Sequence, residues 1–500
     1  MEPALCSRCK GFDAEGLAFT CPMLEGGPCS ACKEGADIQG QIKQLEEGII
    51  KLKEKHHVLR ATMNSIHDPF IHQLPPEIGS YIFRLCLPTS DFGEFSPWPK
   101  RKEVIGALRL GAVCRKWRQL AWTTPNLWEM LYLYIEPTIT KSLANSLPSL
   151  VEAWLGRSGG LPLAIFFHDY CGRSEIKFAI RRIIEVINLH SGRWRNLFLN
   201  VGADIPELFS GYKHPNQLVH LQLAINRWRS CTQKFIMKSK PSPTRLQLRN
   251  FSPTSIDIGW DNLKYASVDS LSANECLEVL RLAPSLEYYH VTPLIEPPGL
   301  PTVNLGTTFI RHSQLRMLGT SHGATTFLNA IVVPALEEWT LHGDAHKPLL
   351  VPTMVSLLNR SGCCLKMLDL SGASYDLPIL LQAIPSLERL QLKYQPDDVL
   401  HDIFDRIFLE DTSREPFLPR LQFMEYETLF SWDRIPQLYR QGHRHSLTLK
   451  FPTNRSQISD ETATELLKLV DEGAQFQIRD TYYGGDFLED FRKRKGKESH

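Results

Sequence analysis

A short strand-like motif recurs along the chain from Trp194 onward and limits the folds available to it. The motif follows the pattern L-x-x-L-x-L and is clearest at residues 365–370 and 387–392. Alternating leucines in such short runs predict strands with one buried face. Successive motifs lie 20 to 34 residues apart, which leaves room for a further element between strands. Their central positions are 197, 221, 246, 266, 289, 318, 339, 368, 390, 424 and 447.

Amphipathic runs lie between several of these strands, at residues 275–280, 354–358, 379–384 and 399–409. A unit of one strand and one helix cannot bury its apolar faces alone, so neighbouring units must stack into a parallel sheet. The period therefore predicts an irregular leucine-rich-repeat solenoid over residues 140–475. An α/β enzyme domain would alternate in a similar way. It would also carry glycine-rich turns after its strands, and the sequence has neither G-x-G-x-x-G nor a Walker loop.

Length and charge exclude some classes of protein. The 500 residues include 56 Lys and Arg against 55 Asp and Glu, so the whole chain has no electrostatic attraction to nucleic acid or to anionic membranes. No apolar run approaches the length of a membrane span, and the first ten residues lack a signal-peptide pattern. Twelve unevenly spread cysteines indicate a reducing compartment, the cytoplasm or the nucleus.

A helical run near the front of the chain is predicted to have two apolar sides. It begins at Pro75 and Pro76, where a lost N–H costs nothing, and Glu77 places a negative charge at the positive helix end. A segment of about 60 residues has too little core to cover a helix on both sides, which predicts that another chain covers one of them. The first side consists of Ile78, Tyr81, Ile82 and Leu85, and the second of Phe83 and Leu87.

A second helical run is predicted over residues 110–121. It ends before Pro125, because the residue before a proline avoids the helical region. One face carries Val113, Trp117 and Ala121, with Leu110 and Cys114 beside it. The simpler alternative for the two runs is a small helical bundle whose apolar residues are all internal.

The first run opens with Leu-Pro-Pro-Glu-Ile at residues 74–78, the second contains Val-Cys-Arg-Lys-Trp-Arg at 113–118, and Pro-Asn-Leu-Trp closes the segment at 125–128. This pattern resembles an F-box over residues 67–135. It is most similar to the F-box families of mushroom-forming (basidiomycete) fungi, which share the Pro-x-Leu-Trp ending and a Pro-rich insert between the helices. The resemblance implies docking to the Skp-type adaptor of a cullin–RING ubiquitin ligase. The residues it implies for this contact are Leu74, Pro75, Glu77, Ile78, Ile82, Leu110, Val113, Cys114 and Trp117.

The first 35 residues contain two Cys-x-x-Cys pairs, Cys6 with Cys9 and Cys29 with Cys32. Nineteen residues separate the pairs, a spacing that suits a structural zinc site with four thiolates. A segment with so few core residues would need the metal to fold. A disordered head with unused thiols is the alternative, and the sequence predicts no other cofactor.

Residues 36–66 have apolar residues at alternating steps of four and three, which predicts a coiled-coil-like helix. Such a helix could pair with its copy in a homodimer or fold back on the F-box helices. The alternative is an amphipathic helix docked on its own domain. The stepped positions are Ile38, Ile42, Leu45, Ile49, Leu52, His56, Leu59, Met63 and Ile66.

Two further motifs are interpreted as having no function. Residues 156–160 match the G-x-S-x-G nucleophile motif around Ser158, but that motif needs a strand before the serine and a helix after it. Here a helical run over 141–155 precedes Ser158 and a strand over 161–167 follows. The basic run at 491–497 lies in a predicted polar tail, residues 476–500. It could be a nuclear address, but such a run is usually a solvated chain end.

The sequence therefore predicts an α+β multidomain protein: a heptad helix and a small all-α F-box, followed by the α/β leucine-rich-repeat solenoid. Its predicted function is that of a non-catalytic substrate-recognition adaptor of a Skp–cullin–F-box ubiquitin ligase, with the repeats binding a target protein. The alternatives are an F-box and repeat scaffold outside ubiquitin ligases, and a hydrolase that uses Ser158. The residues predicted to contact the target alternate with the leucines: Phe198, Gln222, Gln247, Thr340, Asp369 and Gln391.

Overall fold

The computed structural model divides the chain into two units. The helical unit comprises residues 1–88 and 105–127, and the sheet unit comprises residues 89–104 and 128–500. No helix among the described residues has both the length and the hydropathy to cross a bilayer. The structure describes residues 29–66, 74–88, 105–170, 174–213, 215–226, 234–294, 309–321, 323–342, 349–408, 417–426, 436, 448–453, 458–480 and 485–498.

The described part of the helical unit contains four α-helices. The predicted heptad segment lies entirely within the first helix, and the second helix begins at the predicted proline pair. Pro75 is the N-cap, and its carbonyl accepts hydrogen bonds from the N–H groups of Ile78 at 3.0 Å and Gly79 at 3.1 Å. The helices are α1 (Ser30–Ile66), α2 (Pro76–Leu85), α3 (Gly106–Val113) and α4 (Arg115–Trp122).

The second predicted helix, residues 110–121, is wrong in one respect, because Cys114 divides it into α3 and α4. The backbone of Cys114 is extended, with φ −153° and ψ 173°. The Sγ atom of Cys114 accepts a hydrogen bond from the N–H of Trp117 at 3.4 Å, so this residue caps α4. Arg118 Nε donates to the carbonyl of Gly111 at 2.9 Å and satisfies an acceptor that the end of α3 leaves without a helical partner.

The core of the helical unit lies where α2 packs against α4. Phe83 is 1% exposed, and its ring centroid lies 4.9 Å from that of Trp117. Gly79 allows close approach of the two helices, since a Cβ there would lie 2.7 Å from Leu120 Cδ2. The side of α2 that carries Phe83 is therefore covered by the unit itself.

The sheet unit is built on a parallel sheet that has 14 strands within the described residues, paired in chain order. Its strands are β1 (Met130–Ile135), β2 (Leu163–Asp169), β3 (Trp194–Val201), β4 (His220–Ile225), β6 (Arg245–Arg249), β8 (Tyr265–Leu271), β9 (Tyr288–Leu294), β11 (Met317–Ser321), β13 (Glu338–His342), β14 (Met367–Ser371), β15 (Arg389–Lys393), β16 (Phe423–Tyr426), β17 (Thr448–Thr453) and β18 (Phe476–Asp480). Two small pairs join β5 (Phe235–Ile236) to β7 (Ile256–Asp257) and β10 (Ile310–Arg311) to β12 (Ile331–Val332).

The central motif residues form one row across this sheet. Leu368, for example, pairs with Trp339 on one side and Leu390 on the other. The row runs from Leu197 to Met424 without a register shift. Each of its residues is at most 1% exposed. The row continues at Leu449 rather than at the predicted position 447, which lies outside the described residues.

Helices cover the leucine face of the sheet, and their apolar residues join the strands in one core. The predicted helical runs at 141–155, 275–280, 354–358, 379–384 and 399–409 each overlap one of these helices, and the run at 379–384 extends two residues past the end of its helix at Gln382. The helices are α5 (Lys141–Arg157), α6 (Lys177–Leu189), α7 (Ala273–Leu282), α8 (Thr325–Asn329), α9 (Val351–Ser361), α10 (Leu377–Gln382), α11 (Asp397–Phe408), α12 (Asp460–Asp471) and α13 (Phe487–Glu498).

The sheet extends past both of its predicted boundaries, 140 and 475. Strand β1 lies inside the segment assigned to the F-box, and it pairs with β2 rather than with the helices before it. At the other end, β18 and α13 occupy the predicted polar tail. Phe487, Leu488 and Phe491 give α13 an apolar side that is buried in the sheet unit, and Arg492 pairs with Asp471. The basic run is therefore part of a packed helix.

Candidate functional site

One side of α2 presents apolar side chains to solvent. Ile78, Tyr81, Ile82 and Leu85 are between 38% and 68% exposed. They recur at steps of three and four and therefore lie on one side of the helix. Together they define the exposed row of α2. The prediction of two apolar sides is consistent with this arrangement: Phe83 faces the core, and none of the described residues covers this row.

The neighbouring helices also expose apolar side chains. Leu108 on α3 and Val113 at its last position are each about half exposed. Of the residues that the resemblance implied, Pro75, Glu77, Ile78, Ile82 and Val113 are exposed, and Leu74, Leu110, Cys114 and Trp117 are partly buried. The implied set thus separates into accessible residues and partly buried ones.

Trp117 and Cys114 have internal roles that the sequence did not reveal. The ring of Trp117 packs on Phe83, and Cys114 caps α4. Both contacts hold α2 and α4 in place. Conversely, Tyr81, Leu85 and Leu108 are accessible but were absent from the implied contact set. The helical period had already placed the first two on the apolar side of α2.

Residues 71–134 match the F-box-like family. The matched span begins just before α2, contains α3 and α4, and ends within β1. The exposed row of α2 is therefore a feature of an F-box-like domain, and domains of this kind generally bind Skp-type adaptors. No curated protein matches the chain.

Outside the F-box-like domain, the side chains that alternate with the leucines form a second row on the opposite face of the sheet. Phe198 pairs with Gln222, and Gln222 pairs with Gln247. Farther along, Thr340 pairs with Asp369, and Asp369 pairs with Gln391. The six residues predicted to contact a target thus lie in one row. Ser267, His290, Gly319, Glu425 and Lys450 belong to the same row by register.

The prediction that Phe198 is an accessible contact residue is wrong. Phe198 is 3% exposed and stacks on Phe166, with ring centroids 4.4 Å apart. His220 meets the Phe198 ring edge-on at 4.7 Å. The first strands therefore bury this face in an aromatic cluster with Met130 and Ala164. Alternation along a strand predicts the side on which a residue lies, but not what covers it.

From Gln222 onward the second row is polar and partly exposed. Gln391 Nε2 donates to Glu425 Oε2 at 3.1 Å, and Lys450 Nζ lies 2.5 Å from Glu425 Oε1. Gln222 Oε1 is buried and has no hydrogen-bond partner among the described residues. This part of the face thus carries paired charges, and the unpaired acceptor of Gln222 is buried beneath it.

Two histidines meet near the middle of this face. The rings of His290 and His342 lie 5.8 Å apart. The two rings can approach because Gly319, on the strand between theirs, has no side chain; a Cβ at Gly319 would lie 2.0 Å from His290 Cδ2. Burial lowers the pKa of His290, the nearby His342 lowers it further, and Asp269 opposes the change.

Two other histidines are buried at the start of the sheet. Burial lowers the pKa of His168 to about 4. Burial also lowers the pKa of His220 to about 4, and the positive charge of Arg245 adds to this effect. Both side chains are therefore neutral at pH 7, in keeping with their aromatic surroundings.

Ser158 is not arranged as a nucleophile. It follows the last residue of α5, and its hydroxyl donates to the carbonyl of Leu155 at 2.6 Å. Arg193 Nη2 donates to the same hydroxyl oxygen at 2.5 Å. A cation in this position cannot accept the hydroxyl proton as a general base would. Ser158 thus closes a helix end, in agreement with the reversed order of helix and strand in the sequence.

The predicted zinc site falls largely outside the described residues, which include neither Cys6 nor Cys9. Cys29 precedes α1, and Cys32 lies buried in its first turn. Among the described residues no group of three or more His, Cys, Asp or Glu side chains is arranged to hold a metal. The zinc site stays a prediction.

Proposed function

We propose that the protein is a substrate-recognition adaptor of a Skp–cullin–F-box ubiquitin ligase. The exposed row of α2 carries this proposal, because it is an uncovered apolar surface within an F-box-like domain. Complete burial of one such side chain contributes roughly 1.5–3 kcal/mol. A partner that covers the remaining exposed area of four of them gains enough to offset part of the cost of association.

The sheet unit supplies the target-binding half of the proposal. We infer that it is a leucine-rich-repeat array, since the motif residues align in one unshifted row across successive parallel strands. The polar second row is the proposed contact surface. The partly exposed Gln391–Glu425–Lys450 group suits a protein with its own polar side chains.

In this function the protein performs no bond chemistry. It brings a target close to a ubiquitin-transferring subunit, and proximity alone can supply much of the rate. The proposed location is the cytoplasm or the nucleus, where such ligases act.

The docking half is tested by co-purification of the full chain with a Skp-type adaptor. Ile78→Asp combined with Ile82→Asp places two charges in the exposed row without removing a core side chain. We expect adaptor binding to be lost, because a charge buried without a partner is strongly unfavourable. Thermal unfolding should remain unchanged. Trp117→Ala is unsuitable for this purpose, since it would also remove the contact with Phe83.

Leu143→Asp is the matched control, because Leu143 is a half-exposed leucine on α5 in the sheet unit. It should bind the adaptor like the unchanged chain. Full binding by the double variant would contradict the docking surface. If the adaptor binds but never brings a cullin with it, the chain is a scaffold outside ubiquitin ligases.

The target-binding half is tested by charge reversal on the second row. In cells of its source, the unchanged chain should crosslink to target proteins. Asp369→Lys should abolish this crosslinking, whereas adaptor binding should persist. Glu185→Lys, an exposed site on α6, is the control. Equal recovery of the same proteins by both variants would contradict the proposed surface.

A further inference from the structure

Helix α1 carries an apolar seam that nothing in the described chain covers. The eight apolar residues of the heptad pattern between Ile38 and Ile66 are 49–71% exposed, and His56 is exposed as well. The helix has 37 residues, and the seam spans about four heptads, which is the length expected of a coiled coil. An isolated helix in water gains nothing from such a seam.

The seam is narrow and keeps a strict period, which limits what can cover it. Its residues occupy the two core positions of each heptad, a and d; Ile50 and Val58 are apolar and exposed as well but lie outside these positions. Position a holds Ile42, Ile49, His56 and Met63, and position d holds Ile38, Leu45, Leu52, Leu59 and Ile66. A strict seven-residue repeat drifts around a straight helix, so only a second helix that supercoils with it stays in contact along its length.

The length of the seam favours a second copy of α1 as that helix. The next longest helix in the described residues, α5, has 17 residues and would cover little more than half of the seam. A second copy matches it in length and in period. We propose that α1 forms a two-stranded antiparallel coiled coil with α1 of a second copy of this chain.

Charge complementarity carries the antiparallel orientation. Between Ser30 and Gly48, α1 has four acidic and two basic residues; between Ile49 and Ile66 it has one acidic and four basic residues. Antiparallel packing sets each acidic half against the basic half of the other copy. The positions that flank the seam, e and g, set the orientation of helices in coiled coils.

Individual pairs agree with this orientation. With Ile49 packed against Leu52 of the second copy, Leu45 meets His56 and Ile42 meets Leu59. Glu46 then flanks Lys53 of the second copy, and the contact occurs twice by symmetry. A parallel pair would instead set Lys55 beside Arg60 of the second copy twice, with no opposite charges at the other flanking positions.

The mass of the full chain in solution tests the dimer. Sedimentation at micromolar concentration should give about twice the chain mass of 57.1 kDa. Leu45→Asp should reduce this to one chain, because a charge would enter the seam. Leu45 is 67% exposed, so folding of α1 does not depend on it. Glu47→Lys is the control: it changes a charge on the outer side and should leave the dimer intact.

A charge exchange tests the orientation. Glu46→Lys and Lys53→Glu should each weaken the dimer, roughly three- to tenfold in dissociation constant, since each creates two like-charged contacts. The two changes together should restore the original constant. A chain of single mass, an assembly of more than two chains, or single exchanges with no effect and no rescue would overturn the proposal.

Discussion

The two units differ in how far they bury their apolar side chains. The ten-residue helix α2 leaves four apolar side chains 38–68% exposed. In the sheet unit, the motif residues from Leu197 to Met424 are at most 1% exposed. Each strand of the sheet is covered by its neighbouring strands and by helices that pack on one face. In the helical unit, by contrast, the described helices cover only one side of α2. The arrangement of the sheet favours stability without a partner, and that of α2 favours binding to one.

The largest effect should come from a core residue of α2. Phe83→Ala removes the side chain that packs on Trp117, and it should destabilise the helical unit by roughly 3–5 kcal/mol. Ile82→Ala, the adjacent residue in the exposed row, should change its stability by at most about 0.5 kcal/mol. Hydrogen exchange of residues 76–122 would measure both. Equal losses of protection would mean that the two sides of α2 do not differ.

A similar pair of variants examines the sheet unit. Leu368→Ala leaves a cavity in the middle of the leucine row and should cost roughly 2–5 kcal/mol. Its neighbour Asp369 lies on the other face, and Asp369→Ala should be far less harmful. Urea unfolding monitored by the buried Trp339 and Trp194 would report this unit, both being fully buried. Adaptor binding should survive in both variants.

The sequence predicted the sheet where the motif is regular and failed at its ends. Strand β1 was assigned to the F-box, and strand β2, although predicted as a strand over 161–167, is buried on both faces and so has no alternation that assigns it to the leucine row. At the other end, the apolar residues of α13 lie among basic ones, and their helical spacing was less evident than the charge. Periodicity identifies the buried face of a strand or helix. It gives no such signal for a strand that is buried on both faces, or for a helix whose apolar residues lie among charged ones.

The candidate site shows the same limit. The two sides of α2 were predictable from steps of three and four residues. The sequence did not show which side faces the core, because the exposed Ile82 and the buried Phe83 are both apolar. Trp117 was assigned to a partner by the F-box resemblance and Phe198 by its alternation with the leucines, but Trp117 packs on Phe83 and Phe198 is buried. Only tertiary contacts distinguish a residue that binds a partner from one that holds the fold.

Acid should affect the sheet unit through its buried histidines. The folded pKa values of His168 and His220 are about 4, below the ordinary value of 6.5. The unfolded chain therefore binds protons that the folded chain excludes, so stability is complete above pH 6.5 and is lost as the pH falls towards 4. At pH 5 each histidine should cost roughly 1–2 kcal/mol.

His220→Gln provides the measurement. At pH 7 the substitution changes the free energy of unfolding by a fixed amount. Between pH 7 and pH 5 the free energy of unfolding should fall less in the variant than in the unchanged chain. An unchanged slope would mean that folding does not lower the pKa of His220. The helical unit offers a contrast, because none of its described histidines is buried.

The smallest effect should come from the cap between α3 and α4. Cys114→Ala removes the Sγ that accepts from the N–H of Trp117 and should cost about 0.5–1 kcal/mol in the helical unit. Cys114→Ser should keep the cap or strengthen it slightly, since a hydroxyl oxygen is a better acceptor than a thiol and serine is preferred at this position. If Cys114 contacted the adaptor directly, both variants would weaken binding alike. If it acts only as a cap, binding should follow the stability of α4, with serine equal to cysteine and alanine below both.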